Sequence, residues 1–160
     1  MVLPGENLDG YSFLLLGEPC VIHLTDEECI RYDLTTHALF LPTKDAKKRL
    51  VGWFKENAAR ILTSLTQQTA ERMQTSCKSV TISNARTKWG SCSFDNAIRY
   101  SYRLLYAPKD VIEYVVLHEL AHTKHKNHST RFWAEVEKYM PDWKQKRAWL
   151  KGHGGLMQIF

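Results

Sequence analysis

The chain has 160 residues, 44% of them hydrophobic and 24% charged. That balance excludes a disordered chain, and the length suits one domain with a sizeable core. The longest apolar runs, "FLLL" (Phe13 to Leu16) and "YVVL" (Tyr114 to Leu117), are too short to cross a bilayer, so no membrane association is expected. The start, "MVLPGENLDG", shows neither the basic nor the apolar region of a secretory signal. Cys20, Cys29, Cys77 and Cys92 form no CxxC pair, which reads as reduced thiols in a cytoplasmic protein. The net charge of +5 is uneven: residues 1–43 hold one Arg against seven acids, and residues 44–160 hold 21 Lys and Arg against ten. A basic main body would suit an acidic substrate or nucleic acid; a solvated surface is the simpler reading.

Residues 1–43 form an acidic, strand-rich part, with "YSFLLLG", "CVIHL" and "ALFLP" as short strands and "TDEE" and "DLTTH" between them. From Lys44 a helical pattern takes over: Leu50, Trp53, Phe54, Ala58, Ile61, Leu62 and Leu65 recur every three or four residues. "KSVTISN" and "AIRYSYRLLY" are the next strands, with "SFDN" supplying turn chemistry. Pro108 and Asp110 open a helix, and Ser129 caps another that runs to Tyr139. Pro141 breaks that helix before a last one, "DWKQKRAWLK". The whole reads as a single α+β domain, with residues 44–160 as its basic core.

The helix after Pro108 is apolar almost all round, yet it contains His118, Glu119 and His122. Positions i and i+4 share a helix face, so both imidazoles can reach one metal ion. This is the H-E-x-x-H pattern of zinc peptidases, in which the Glu is the general base. A catalytic zinc takes three protein ligands and leaves one position open. His125 would lie about 10.5 Å from His118 on a continuous helix, too far to share an ion. The chain therefore has to turn, and "KN" (Lys126, Asn127) offers a left-handed turn that brings His128 back as the third ligand. Glu135 and Glu137 are the alternatives for that role.

"RTKWGSCS" (Arg86 to Ser93), "YRLLYAPKDVIEYVVLHELAH" (Tyr102 to His122), "NHSTRFW" (Asn127 to Trp133) and "PDWKQKRAWLK" (Pro141 to Lys151) follow one another in this order. Together they resemble the YgjP-like family of zinc metallopeptidases, small zincins related to the SprT-like and WLM proteases. The resemblance is close over residues 50–153 and looser from Lys44. It implies a zincin-like α+β core with a small antiparallel sheet, an H-E-x-x-H active-site helix and C-terminal helices. It implies one Zn2+ per chain on His118, His122 and His128, with Glu119 as catalytic acid/base. Members often begin with a further basic, strand-rich segment, so this chain is expected to be a short member or to lack an N-terminal part.

The expected activity is zinc-dependent hydrolysis of a peptide bond in a peptide or protein. Zincins lay substrate along an edge strand, and Arg86, Trp89, Gly90 and Ser91 are the candidate substrate-binding residues there. An alternative for that stretch is purely structural, with Trp89 in the core and Gly90 at a bulge or close approach. Phe132, Trp133, Trp143 and Trp149 read as packing residues. Arg86, Tyr100, Tyr106 and His125 have the chemistry to stabilise an oxyanion. Two rival activities use the same residues: a basic module with a structural zinc that associates with nucleic acid or cleaves DNA-associated proteins, and hydrolysis of a non-peptide amide.

Overall fold

The structure is a computed structural model that describes residues 7–160. Four strands come first: β1 (Ser12–Leu15), β2 (Glu18–Thr25), β3 (Arg31–Asp33) and β4 (Ala38–Pro42). They form a sheet in the order β1-β2-β4-β3, with β2 and β4 parallel and the outer pairs antiparallel. The β1–β2 turn, Leu16 and Gly17, takes positive φ at both residues, as a tight hairpin requires. Gly17 also lies against Pro108, where a Cβ would come within 2.8 Å of its ring. The turn amides of Leu16 and Gly17 donate to the carbonyls of Leu105 and Tyr106, so the N-terminal sheet is pinned to the rest.

The predicted helical pattern is α1 (Ala46–Met73), 28 residues and so about 42 Å long. Leu50, Phe54, Ala58 and Leu62 are fully buried, while Trp53, Ile61 and Leu65 flank the stripe half-buried. The helix outlasts the expected pattern by two turns, burying Thr66, Thr69, Ala70 and Met73, and Gln74 ends it in the left-handed conformation. Phe54 sits at the centre of an aromatic cluster with Phe13, Trp53, Tyr102, Tyr106 and Phe160. No helix among the described residues is long and apolar enough to cross a membrane.

The second sheet contains β5 (Ser79–Ser83), β6 (Gly90–Cys92) and β7 (Ala97–Ser101), in the order β5-β7-β6. The expected antiparallel pairing is β6–β7; β5 joins β7 in parallel, so the sheet is mixed. The strand expected over residues 97–106 stops at Ser101, and Tyr102–Tyr106 is a 3-10 helix. All five of its residues are buried, unlike a strand with one solvent-facing side. The Ser101 hydroxyl accepts the Arg103 N–H and starts the turn. Arg103 is 2% exposed, lies over the Tyr102 ring at 4.4 Å and sends its guanidinium hydrogen bonds to backbone carbonyls. Its guanidinium donates to those of Asn84, Ala85, Ile159 and Phe160, tying the segment before β6 to the last residues.

Three helices complete the domain: α2 (Lys109–Ala121), α3 (Thr130–Tyr139) and α4 (Trp143–Gly152). The Ser129 hydroxyl accepts the Phe132 N–H as the expected cap of α3. α2 is buried nearly all round and lies between α1, α4 and β6. Its β-branched, propensity-poor sequence is held helical by that burial.

Candidate metal centre

His118, Glu119 and His122 lie in the last turn of α2, and His128 comes from the loop before α3. One nitrogen from each of the three histidines lies within 4.8 Å of the others. Helix α2 ends at Ala121 with His122 as its cap, earlier than the expected turn at Lys126 and Asn127. The amides of Thr123 and Lys124 donate to Leu120 and Ala121 in tight turns, and Asn127 does not adopt positive φ. Ending the helix at the second ligand leaves the loop long enough to return His128 without a left-handed residue.

The donor geometry fits a metal ion. His118 Nε2 and His128 Nε2 are 3.2 Å apart. Two imidazole lone pairs at that distance repel unless a proton or cation lies between them. Ligands about 2.05 Å from a tetrahedral zinc would be about 3.3 Å apart. His122 Nδ1 donates to the His125 carbonyl at 3.0 Å, which leaves its Nε2 for the ion. The Tyr114 hydroxyl lies 3.4 Å from His118 Nδ1. Burial holds the His118 imidazole down to about 3, with His122, His128 and Arg147 adding to it, so it is neutral at pH 7. Burial lowers His122 as well. Neutral imidazoles are the form that binds metal.

Glu119 is 6% exposed, and among the described residues no donor holds its carboxylate. Burial pushes it up to about 7, opposed by Lys88. Phe132 lies beneath the centre, its ring centroid 4.4 Å from His122, 4.9 Å from His118 and 5.0 Å from His128. Trp133 stacks on His128 at 5.8 Å and on Trp143 at 4.1 Å. Reading Phe132, Trp133 and Trp143 as packing residues therefore holds, but the first two pack against the clustered histidines themselves. Trp149 stacks on His153, away from the triad.

The remaining candidates scatter. Glu135 pairs with Lys124 at 2.9 Å, Glu137 is exposed, and neither joins the histidine cluster. Arg86 does not contribute to the edge; it donates to the carbonyls of Gln158 and Phe160. Tyr106 donates to the Ile159 carbonyl, and the Tyr100 hydroxyl bonds Thr66 of α1, so both oxyanion candidates are buried and engaged elsewhere. His125 is half-buried and contributes its carbonyl to His122. Trp89 is half-buried against the core, and its carbonyl accepts the Ser101 N–H. Gly90 and Ser91 do form the sheet edge, and a Cβ on Gly90 would meet Glu119 Cγ at 3.1 Å and Val115 at 3.2 Å.

Sequence reasoning missed Lys126 and Phe94. Lys126 donates to Ser93 and Asn96, fastening the loop that carries His128 to the β6–β7 hairpin, and it lies over the exposed Phe94 ring. Nothing local marks these partners, which are about 30 residues apart.

Residues 3–153 match the family model described as YgjP-like, metallopeptidase domain. The chain belongs to the YgjP-like family. The match takes in the N-terminal strands, beyond the region where the motifs lie. Among solved structures, the zymogen of abylysin, a metallopeptidase of Pyrococcus abyssi, is similar at 24% identity and a TM-score of 0.52, covering 58% of this chain and 95% of that one. The jannalysin zymogen of Methanocaldococcus jannaschii matches at 19% identity and a TM-score of 0.49, covering 57% and 94%. No curated protein matches the chain. Family membership makes this YgjP-like chain a metallopeptidase with peptides or proteins as its substrates.

Proposed function

We propose that the chain is a zinc peptidase in which His118, His122 and His128 hold the ion, Glu119 moves the proton and β6 receives the substrate. The observation that carries it is the meeting of three imidazole nitrogens within 4.8 Å, next to a buried carboxylate without a donor. Three imidazoles suit zinc, which in catalytic sites takes three protein ligands and keeps a fourth position open. When bound, zinc lowers the pKa of its water toward 7 and polarises the scissile carbonyl. Glu119, held near neutrality by burial, accepts a proton from the attacking water and delivers it to the leaving amine.

The register of β6 supports an extended substrate. The Ser93 amide donates to Ala97 and the Ser101 amide to Trp89, so along this antiparallel pair Ser91 faces β7. The N–H and C=O of Gly90 and Cys92 therefore turn to the open edge, ready to pair with a peptide. Gly90 has no side chain to separate that edge from Glu119.

The test is elemental analysis and peptide hydrolysis on wild type, His128→Ala and Glu119→Gln, purified together. The expected result is one zinc in wild type and in Glu119→Gln, much less in His128→Ala, and turnover in wild type alone. Full zinc in His128→Ala would move the third ligand elsewhere. Hydrolysis by Glu119→Gln would remove Glu119 from its role.

A further inference from the structure

A strand added to the open edge of β6 directs its side chains alternately to the two faces of the sheet. Opposite Gly90, the side chain faces α2 and Glu119, where an acidic group would meet a carboxylate. Opposite Ser91, it faces the other side. There Ser83, Lys88, Gly90, Ser91, Arg99 and Ser101 line a pocket of about 280 Å³, with no acid among its lining residues. Ser91 and Arg99 are directly paired across β6 and β7, so both side chains are on that face.

Some surface cations are already neutralised by neighbours. Lys78, Lys124 and Lys146 are each paired with a carboxylate. Lys88 and Arg99 are exposed and make no hydrogen bond or ion pair with any described residue. Lys88 stands in the loop just before β6 and Arg99 on β7, one strand in from the open edge, at the place where a bound peptide's alternate side chain would arrive.

We propose that this pocket is a specificity subsite in which Arg99 and Lys88, with the Ser91 hydroxyl, bind the anionic side chain of the substrate residue opposite Ser91. The recognised chemistry is an oxyanion, from either an Asp or Glu carboxylate or a phosphorylated side chain. This rests on the reading that an extended peptide pairs with β6, and it adds a sequence preference: an acid next to the residue that faces Glu119.

The test measures binding apart from turnover. Zinc-loaded Glu119→Gln protein is titrated into fluorescein-labelled decapeptides of neutral sequence, and binding is followed by anisotropy. A single Asp, phosphoserine, Asn or Lys is walked through every position. At one position Asp or phosphoserine is expected to bind about tenfold tighter than Asn. Arg99→Glu, added to the same protein and checked for fold and zinc content, is expected to abolish that gain and to favour Lys there instead. Phosphoserine above Asp identifies a phosphate site, and parity identifies a carboxylate site. Uniform or undetectable binding, or an acid preference that survives Arg99→Glu, overturns the subsite. The same peptides given to zinc-loaded wild type separate the two readings. No cleavage overturns the peptidase assignment, whereas cleavage without acid preference overturns only the subsite.

Discussion

β3 and β6 are each three residues long and each lie at the edge of a sheet, yet their edges are finished in opposite ways. On β3, Arg31 pairs with Glu27 at 3.3 Å and lies over the Phe40 ring, while Asp33 accepts the amides of Thr35 and Thr36. Charged residues on an edge discourage another strand from pairing with it. β6 is Gly-Ser-Cys, uncharged and small, with backbone groups turned outward. The carboxylates differ as well: backbone amides hold Asp33 below its ordinary range, while burial raises Glu119 behind β6. An edge is a liability that one sheet suppresses and the other keeps, and it is kept where a buried carboxylate lies within contact of a glycine.

The largest way to break this contrast is Gly90→Val. A side chain there must displace Glu119, Val115 or Tyr100, all within 3.3 Å of the added Cβ. A shift of about 1 Å at the base should lower kcat/KM by about 10²-fold with zinc content unchanged. Kinetics equal to wild type would mean the peptide lies elsewhere.

Next in size is support from behind. Arg103→Met removes the guanidinium from the carbonyls of Asn84, Ala85, Ile159 and Phe160, of which the last three keep hydroxyl donors from Ser101, Tyr106 and Tyr102. The expected loss is about 2–4 kcal/mol in urea unfolding, from the hydrogen bonds to a charged group that are lost together. A loss below about 1 kcal/mol would mean that water replaces the guanidinium.

A third prediction concerns the opposed titrations beside β6. Between about pH 3 and its ordinary 6.5, His118 is neutral when folded and protonated when unfolded, so its contribution to stability is lost as pH falls through that window. Between its ordinary 4.5 and about 7, Glu119 is protonated when folded and ionised when unfolded, so its contribution is lost as pH rises. The two slopes oppose each other over pH 4.5–6.5. Metal-free Glu119→Gln should therefore gain stability with pH more steeply than metal-free wild type, by up to about 1.4 kcal/mol per unit. Parallel curves in chemical unfolding would show that Glu119 is not held protonated.

The smallest effect belongs to the defended edge. Arg31→Ala removes an exposed ion pair and should change stability by less than about 1 kcal/mol, with turnover unaltered. A measurable loss of activity would tie the N-terminal sheet to the site.

Much of the site could be read from the sequence because its chemistry is local. The i, i+4 spacing of His118 and His122 places them on one face, and the helix length rules out His125 as a ligand from the same helix. Ser129 announces the start of α3 three residues before the amide it caps. The alternating look of residues 97–106 misled, since burial of every residue from Tyr102 to Tyr106 overrode it. Arg86 misled for a similar reason: its motif borders the substrate edge, but its side chain turns to the C-terminal carbonyls.

By itself the sequence determined the histidine spacing, the helices that carry it and the α+β class, because periodicity and short spacings act within a turn or two of chain. Tertiary structure alone decided that β6 is an open edge, that Phe132 underlies all three histidines and that Lys126 fastens their loop. It also decided that Lys88 and Arg99 share one pocket. These relations join residues far apart in the chain, brought together by burying a common core, and no local pattern encodes which distant partners meet.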